Sequence, residues 1–107
     1  MGRADEIYLG SDVKLNVHVE RMGDVPMSKY HFTVDVFAGK SNTITIDKSE
    51  AKQIDDDNYM VCFNSSALGL GRIIAIVKCE IPDEEIKGHK RTEIVRVDTG
   101  LNIIYTK

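Results

Sequence analysis

Three consecutive aspartates, Asp55, Asp56 and Asp57, stand just before a strand-like run that carries Cys62, with Cys79 seventeen positions further on. Carboxylates in a row suggest a hard-cation site. A helix–loop–helix calcium loop, however, needs oxygen ligands at alternating positions, a mid-loop glycine and a distal glutamate. "DDDNYMVCFNSS" has no glycine at its sixth position and enters a strand at once. Successive strand side chains point to opposite faces, so three adjacent carboxylates cannot converge on one ion. Asp and Asn before a strand are ordinary turn formers, and a turn is expected here.

The other candidate chemistry is thinner. Gly69 and Gly71 in "LGLGR" lack the dinucleotide-binding pattern, and a strand rather than a helix follows them. They read as hairpin residues between two strands. That hairpin would set Cys62 and Cys79 far apart, beyond the roughly 7 Å that a disulfide spans, so both are expected as free, small, buried hydrophobes. Two cysteines are too few for a structural zinc site. His18, His31 and His89 show no metal-ligand spacing, and no serine sits in a nucleophile-elbow context. Asp83, Glu84 and Glu85 read as a solvated loop. No catalytic, cofactor or metal residue is singled out, and an enzyme is not expected.

The elements that would position these groups follow a period of two. "VKLNVHV" puts Val13, Leu15, Val17 and Val19 on one face. Further strands are expected over "YHFTVDVFA", "TITID", "NYMVCF", "RIIAIVKCEI", "RTEIVRVDT" (Val95 and Val97 inward) and "LNIIY". "RMGDVPMSKY", with Gly23 and Pro26, is a connection, and "KSEAKQI" is a turn or one loose helical turn. Both faces of "RIIAIVKCEI" are apolar from Ile73 to Val77, which places that strand centrally in a sheet. About seven short strands with frequent turn signals imply an all-β, antiparallel, Ig-like β-sandwich. We expect residues 1–12 as a flexible N-terminal arm and 13–107 as a single domain. "LNIIY", with Ile103, Ile104 and Tyr105, is the candidate interaction edge.

The chain has 107 residues, 42% hydrophobic and 29% charged, which is ordinary globular usage. A net charge of −3 gives no basic face for nucleic acid. Aromatics at 7%, with no Trp, supply little for stacking on bases or sugars. No apolar run reaches membrane-spanning length, and "MGRADEIYLG" has no signal-peptide core. The expectation is synthesis in the cytoplasm, with neither membrane nor nucleic acid as partner.

The second half, "KSEAKQIDDDNYMVCFNSSALGLGRIIAIVKCEIPD" and then "KRTEIVRVDTGLNI", resembles small proteins encoded in prophage tail and fibre gene clusters of gut anaerobic bacteria. The shared pattern is an Asp-Asp-x-x-Tyr strand entry (Asp56, Asp57 and Tyr59, with only Asn58 between Asp57 and Tyr59), Leu68 to Gly71, Ile81 to Asp83, Arg91 to Glu93, and Asp98 to Gly100. The loop "EEIKGHK" departs from the Asp-Gly-rich version of that group. The architecture is also similar to the Ig-like N-terminal domain of phage baseplate upper proteins. The resemblance implies a non-enzymatic structural or adaptor module of a phage-tail-like assembly. Its partners would be other virion or tail proteins, or further copies of itself, and it would need no cofactor. The alternative is a ligand- or carbohydrate-binding β-sandwich module of a cell-surface or conjugative element.

Overall fold

The computed structural model describes residues 5–19, 26–39, 42–88 and 90–105. Gly23, His89 and the first four residues of the expected arm lie outside them. Among these residues eight strands run in chain order as β1 (Glu6–Tyr8), β2 (Asp12–His18), β3 (His31–Ala38), β4 (Thr43–Asp47), β5 (Lys52–Gln53), β6 (Asn58–Asn64), β7 (Gly71–Pro82) and β8 (Lys90–Ile104). They form a five-stranded sheet in the order β1-β8-β7-β3-β4 and a three-stranded sheet in the order β2-β6-β5. The fold is an all-β sandwich.

The period-two pattern decides what lies between the sheets. Phe32, Val34, Val36 and Ala38 of β3 are buried at alternate positions. Val13 and Val17 of β2 do the same from the opposite sheet, with Tyr59, Val61 and Phe63 of β6. Phe32 and Tyr59 join the sheets edge to face, with ring centroids 5.0 Å apart and planes at 73°.

β7 is central, as its composition requires, flanked by β8 and β3. Its two faces are unequal. Ile73, Ala75, Cys79 and Ile81 face the core, whereas Ile76 is half-buried on the outer face beside exposed Lys78. The run of apolar residues thus reflects one sealed face and one partly wet one, not a strand covered equally on both sides.

Three expectations need correction. The sheet is mixed, because β1 pairs parallel with β8 through Glu6↔Asn102, Ile7↔Ile103 and Tyr8↔Ile104. The described part of the N-terminal arm is therefore bound into the fold. Leu9 N–H extends the pairing to the Ile104 carbonyl at 2.8 Å, and buried Ser65 Oγ accepts from Gly10 N–H at 2.9 Å. Second, "SSALGLG" is no hairpin. β6 pairs with β2 and β5, while β7 belongs to the other sheet. The segment crosses between sheets through a short turn at Ser65–Ala67, capped by Asn64 Oδ1 on Ser66 N–H at 3.0 Å, and Leu68 fills the core behind it. Gly71 is needed where the chain lands. Its φ is 127°, and a Cβ there would stand 3.0 Å from Gly39 N.

Third, "RTEIVRVDT" and "LNIIY" are two halves of one strand. Along β8 the register slips against β7 between Arg72↔Asn102 and Ile74↔Asp98, so Thr99, Gly100 and Leu101 bulge opposite Ile73. Thr99 Oγ1 donates to the Ile73 carbonyl at 2.8 Å and accepts from Leu101 N–H at 3.2 Å. Gly100 takes a φ of 79°. The bulge divides β8 into a half covered by β1, from Asn102 to Ile104, and a half running from Lys90 to Asp98.

Candidate functional site

The polar clusters resolve into local structure. Asp55 closes a turn, accepting from Asp57 N–H at 2.9 Å and from Asn58 Nδ2 at 2.8 Å, and these donors hold its pKa below the ordinary carboxylate range. Asp47 caps the Lys48–Glu50 turn on Ser49 N–H at 3.0 Å and meets His31 Nε2 at 2.8 Å, which lowers its pKa to about 2. Ser49 Oγ bonds to Asp47 rather than to His31, so the trio is not arranged as a nucleophile with its base. Among the described residues, no three His, Cys, Asp or Glu side chains gather where they could hold a metal ion.

The thiols are free and lie in different sheets. Cys62 is exposed on β6, contrary to the expected burial, because it falls on the solvent-facing parity of that strand. Cys79 is buried on β7. Burial, and then the charge of Glu93 opposite it, pushes its pKa up.

The candidate edge at the C-terminus also changes. Ile103 is 2% exposed and sits between Ile7 of β1 and Gly71 of β7, so its backbone is paired on both sides. Ile104 is half-buried, and Tyr105 alone is exposed. These residues are core and margin, not an open edge.

The open edge is the other half of the same strand. From Lys90 to Asp98, β8 pairs with β7 on one side, and no strand pairs with it on the other among the described residues. Apolar side chains are concentrated there: Ile94 is 64% exposed, Val95 55% and Val97 42%. Register places Val95 opposite Val77 and Val97 opposite Ala75, so both point to the core face, as the alternation predicts. They remain exposed because the second sheet has three strands against five and ends at β2. Between β2 and the open half of β8 lies a cleft of about 540 Å³, walled by Leu15, Val17 and Val19 on one side and by Val77, Val95 and Val97 on the other. Asn16, His18, Glu93 and Asp98 lie among its lining residues, and no Phe, Tyr or Trp stands among the described ones.

The rim charges are held in place. Arg91 Nη1 reaches Asp83 at 3.3 Å and Arg91 Nε reaches Glu93 at 3.2 Å. Arg72 Nε holds Asp98 at 2.6 Å. The sequence did carry one signal for this edge: Ile94 and Val95 are adjacent, so they place apolar groups on both faces of the strand at once.

No family model, no curated protein and no solved structure matches the chain. Among the described residues, no helix is long and apolar enough to cross a membrane.

Proposed function

We propose that this protein is a non-enzymatic interaction module that joins its assembly through the open half of β8. The observation that carries this reading is the coincidence of a strand edge that is unpaired among the described residues with three exposed apolar side chains, Ile94, Val95 and Val97. A free edge offers backbone donors and acceptors to an incoming strand, and alternate side chains supply the contact area. Exposed apolar groups gathered in one place mark an interaction site more often than scattered ones do. The resemblance to prophage tail and fibre proteins supports a phage-tail-like assembly as the setting.

The test uses a tagged chain in cells producing tail-like particles. The wild-type chain should sediment with the particles. Ile94→Lys, at a position already mostly in water, should run free while keeping the wild-type circular dichroism spectrum. A wild-type chain that stays off the particles, or an Ile94→Lys chain that stays on them, overturns the reading.

The cleft favours a second reading, a ligand-binding module, since its volume falls within the usual range of small-molecule sites, about 300–1,000 Å³. Its apolar walls suit an aliphatic ligand, and the described lining offers no Phe, Tyr or Trp ring for stacking a sugar. Stoichiometric binding of an apolar fluorescent dye, lost in Val97→Lys, would favour this reading.

A further inference from the structure

We propose that the occupant of the open β8 edge is β8 of a second copy of this chain, paired antiparallel across a two-fold axis at Ile94. The inference rests on the reading of that edge as an interface and deepens it by naming what binds there. Closed two-fold pairing is the commonest arrangement of soluble homo-oligomers. When the axis stands normal to the sheet, each residue must meet one of the same facing, so the axis must pass through a residue. That leaves few registers, and charge separates them.

With the axis at Ile94, Lys90 faces the partner's Asp98 at both ends of the pairing. Thr92 then faces the partner's Arg96, and Ile94 faces its own equivalent across the dyad. On the core face, Val95 lies beside the partner's Glu93 and Val97 beside the partner's Arg91. The methylene stems of Glu93 and Arg91 can cover those valines while the Arg91 guanidinium stays on Asp83 and Glu93. No like charges stand directly opposite. The like pairs that remain, Glu93 with the partner's Glu93 and Lys90 with the partner's Arg96, are diagonal, at about 7–8 Å between backbones.

Neighbouring registers are worse. An axis at Glu93 sets Glu93 against itself and Lys90 against Arg96. An axis at Arg96 sets Arg96 against itself. An axis at Val95 keeps like charges apart but forms no ion pair. An axis at Thr92 pairs Arg91 with Glu93 but leaves Val95 and Val97 uncovered. Charged residues on an edge strand ordinarily discourage pairing with other chains. Along this edge their order instead admits one self-complementary match that also takes in all three exposed apolar residues. The bulge at Thr99–Leu101 and the β1 pairing beyond it end the available edge just past Asp98.

The purified full chain should scatter light as a species of twice the 12.0 kDa chain mass, and Ile94→Lys should reduce it to a monomer. Directly opposed antiparallel residues lie about 4.5–5.5 Å apart at Cα, within disulfide reach. In a Cys62→Ser background under mild oxidation, Ile94→Cys should cross-link with itself. A mixture of Glu93→Cys and Val95→Cys chains should cross-link far more than either chain alone. The Ile94–Ile94 pair and the Glu93–Val95 pair belong to opposite hydrogen-bonding classes, so one of the two is favourably set. Lys90→Asp should raise the dimer dissociation constant about fivefold or more, through two new like-charged pairs. A chain that stays monomeric up to its solubility limit overturns the proposal, as does a dimer that survives Ile94→Lys or cross-links without this register. If the chain is monomeric yet Ile94→Lys still frees it from particles, the second copy is wrong as occupant while the edge remains the interface.

Discussion

Arg72 Nε donates to both carboxylate oxygens of Asp98, at 2.6 and 2.9 Å, across the point where β7 and β8 lose register. The same Asp98 Oδ1 accepts from Gly100 N–H at 3.0 Å. One carboxylate therefore fixes the strand to its neighbour and shapes the bulge that ends the open edge. Sequence position alone would not pair residues twenty-six apart. The ladder does so, since it runs in one register from Pro82↔Lys90 to Ile74↔Asp98 and leaves Asp98 diagonal to Arg72.

That carboxylate gives the fold a pH signature. The Arg72 guanidinium and then the Gly100 N–H hold the Asp98 pKa below its ordinary value of 3.8, and Asp47 is lowered to about 2 by Ser49 N–H and His31. A carboxylate with a depressed folded pKa stabilises the fold fully above its unfolded value, and that contribution is lost as pH falls through the folded value. The melting temperature should therefore hold down to about pH 4 and drop between about pH 4 and pH 2. Asp98→Asn and Asp47→Asn should each flatten part of that drop in thermal melts across the range. Both groups are solvent-exposed, so each contribution is modest.

Burial within β7 separates two isoleucines of the same run. Ile73 is fully buried and Ile76 is half-exposed on the outer face. Ile73→Ala should cost about 2–5 kcal/mol in denaturant unfolding. Ile76→Ala should cost clearly less, on the order of 1 kcal/mol, since part of its surface is already wet.

The two thiols should differ in reactivity. Cys62 is exposed and Cys79 is buried with a raised pKa. A thiolate is the reacting species. An aromatic disulfide reagent at pH 8 should label one thiol per native chain promptly, and the second only on unfolding. Cys62→Ser should abolish the prompt phase.

Much of the fold is legible in the sequence because alternation reports burial directly. Val13, Val17, Phe32, Val34 and Val61 all lie on the buried faces that the pattern assigns. Which strand pairs with which is not local information. "SSALGLG" has hairpin chemistry yet crosses between sheets, and nothing in its own residues distinguishes the two. "LNIIY" looks like an edge because it ends the chain, but the parallel partner that buries Ile103 lies almost a hundred residues earlier. The exposed half of β8 was hidden for a related reason. Its inward valines have the pattern of core, and only the three-against-five strand count leaves them uncovered.

The most direct test of the interface is hydrogen exchange by mass spectrometry, resolved to single amides along β8 and followed over a dilution series of the purified chain. The expected result is that edge-facing amides between Lys90 and Asp98 are protected at high concentration. They should lose that protection on dilution, or in Ile94→Lys, while β3 amides exchange slowly throughout. Amides from Lys90 to Asp98 that exchange fast at every concentration, or concentration-dependent protection confined to β2 or β4, would contradict it.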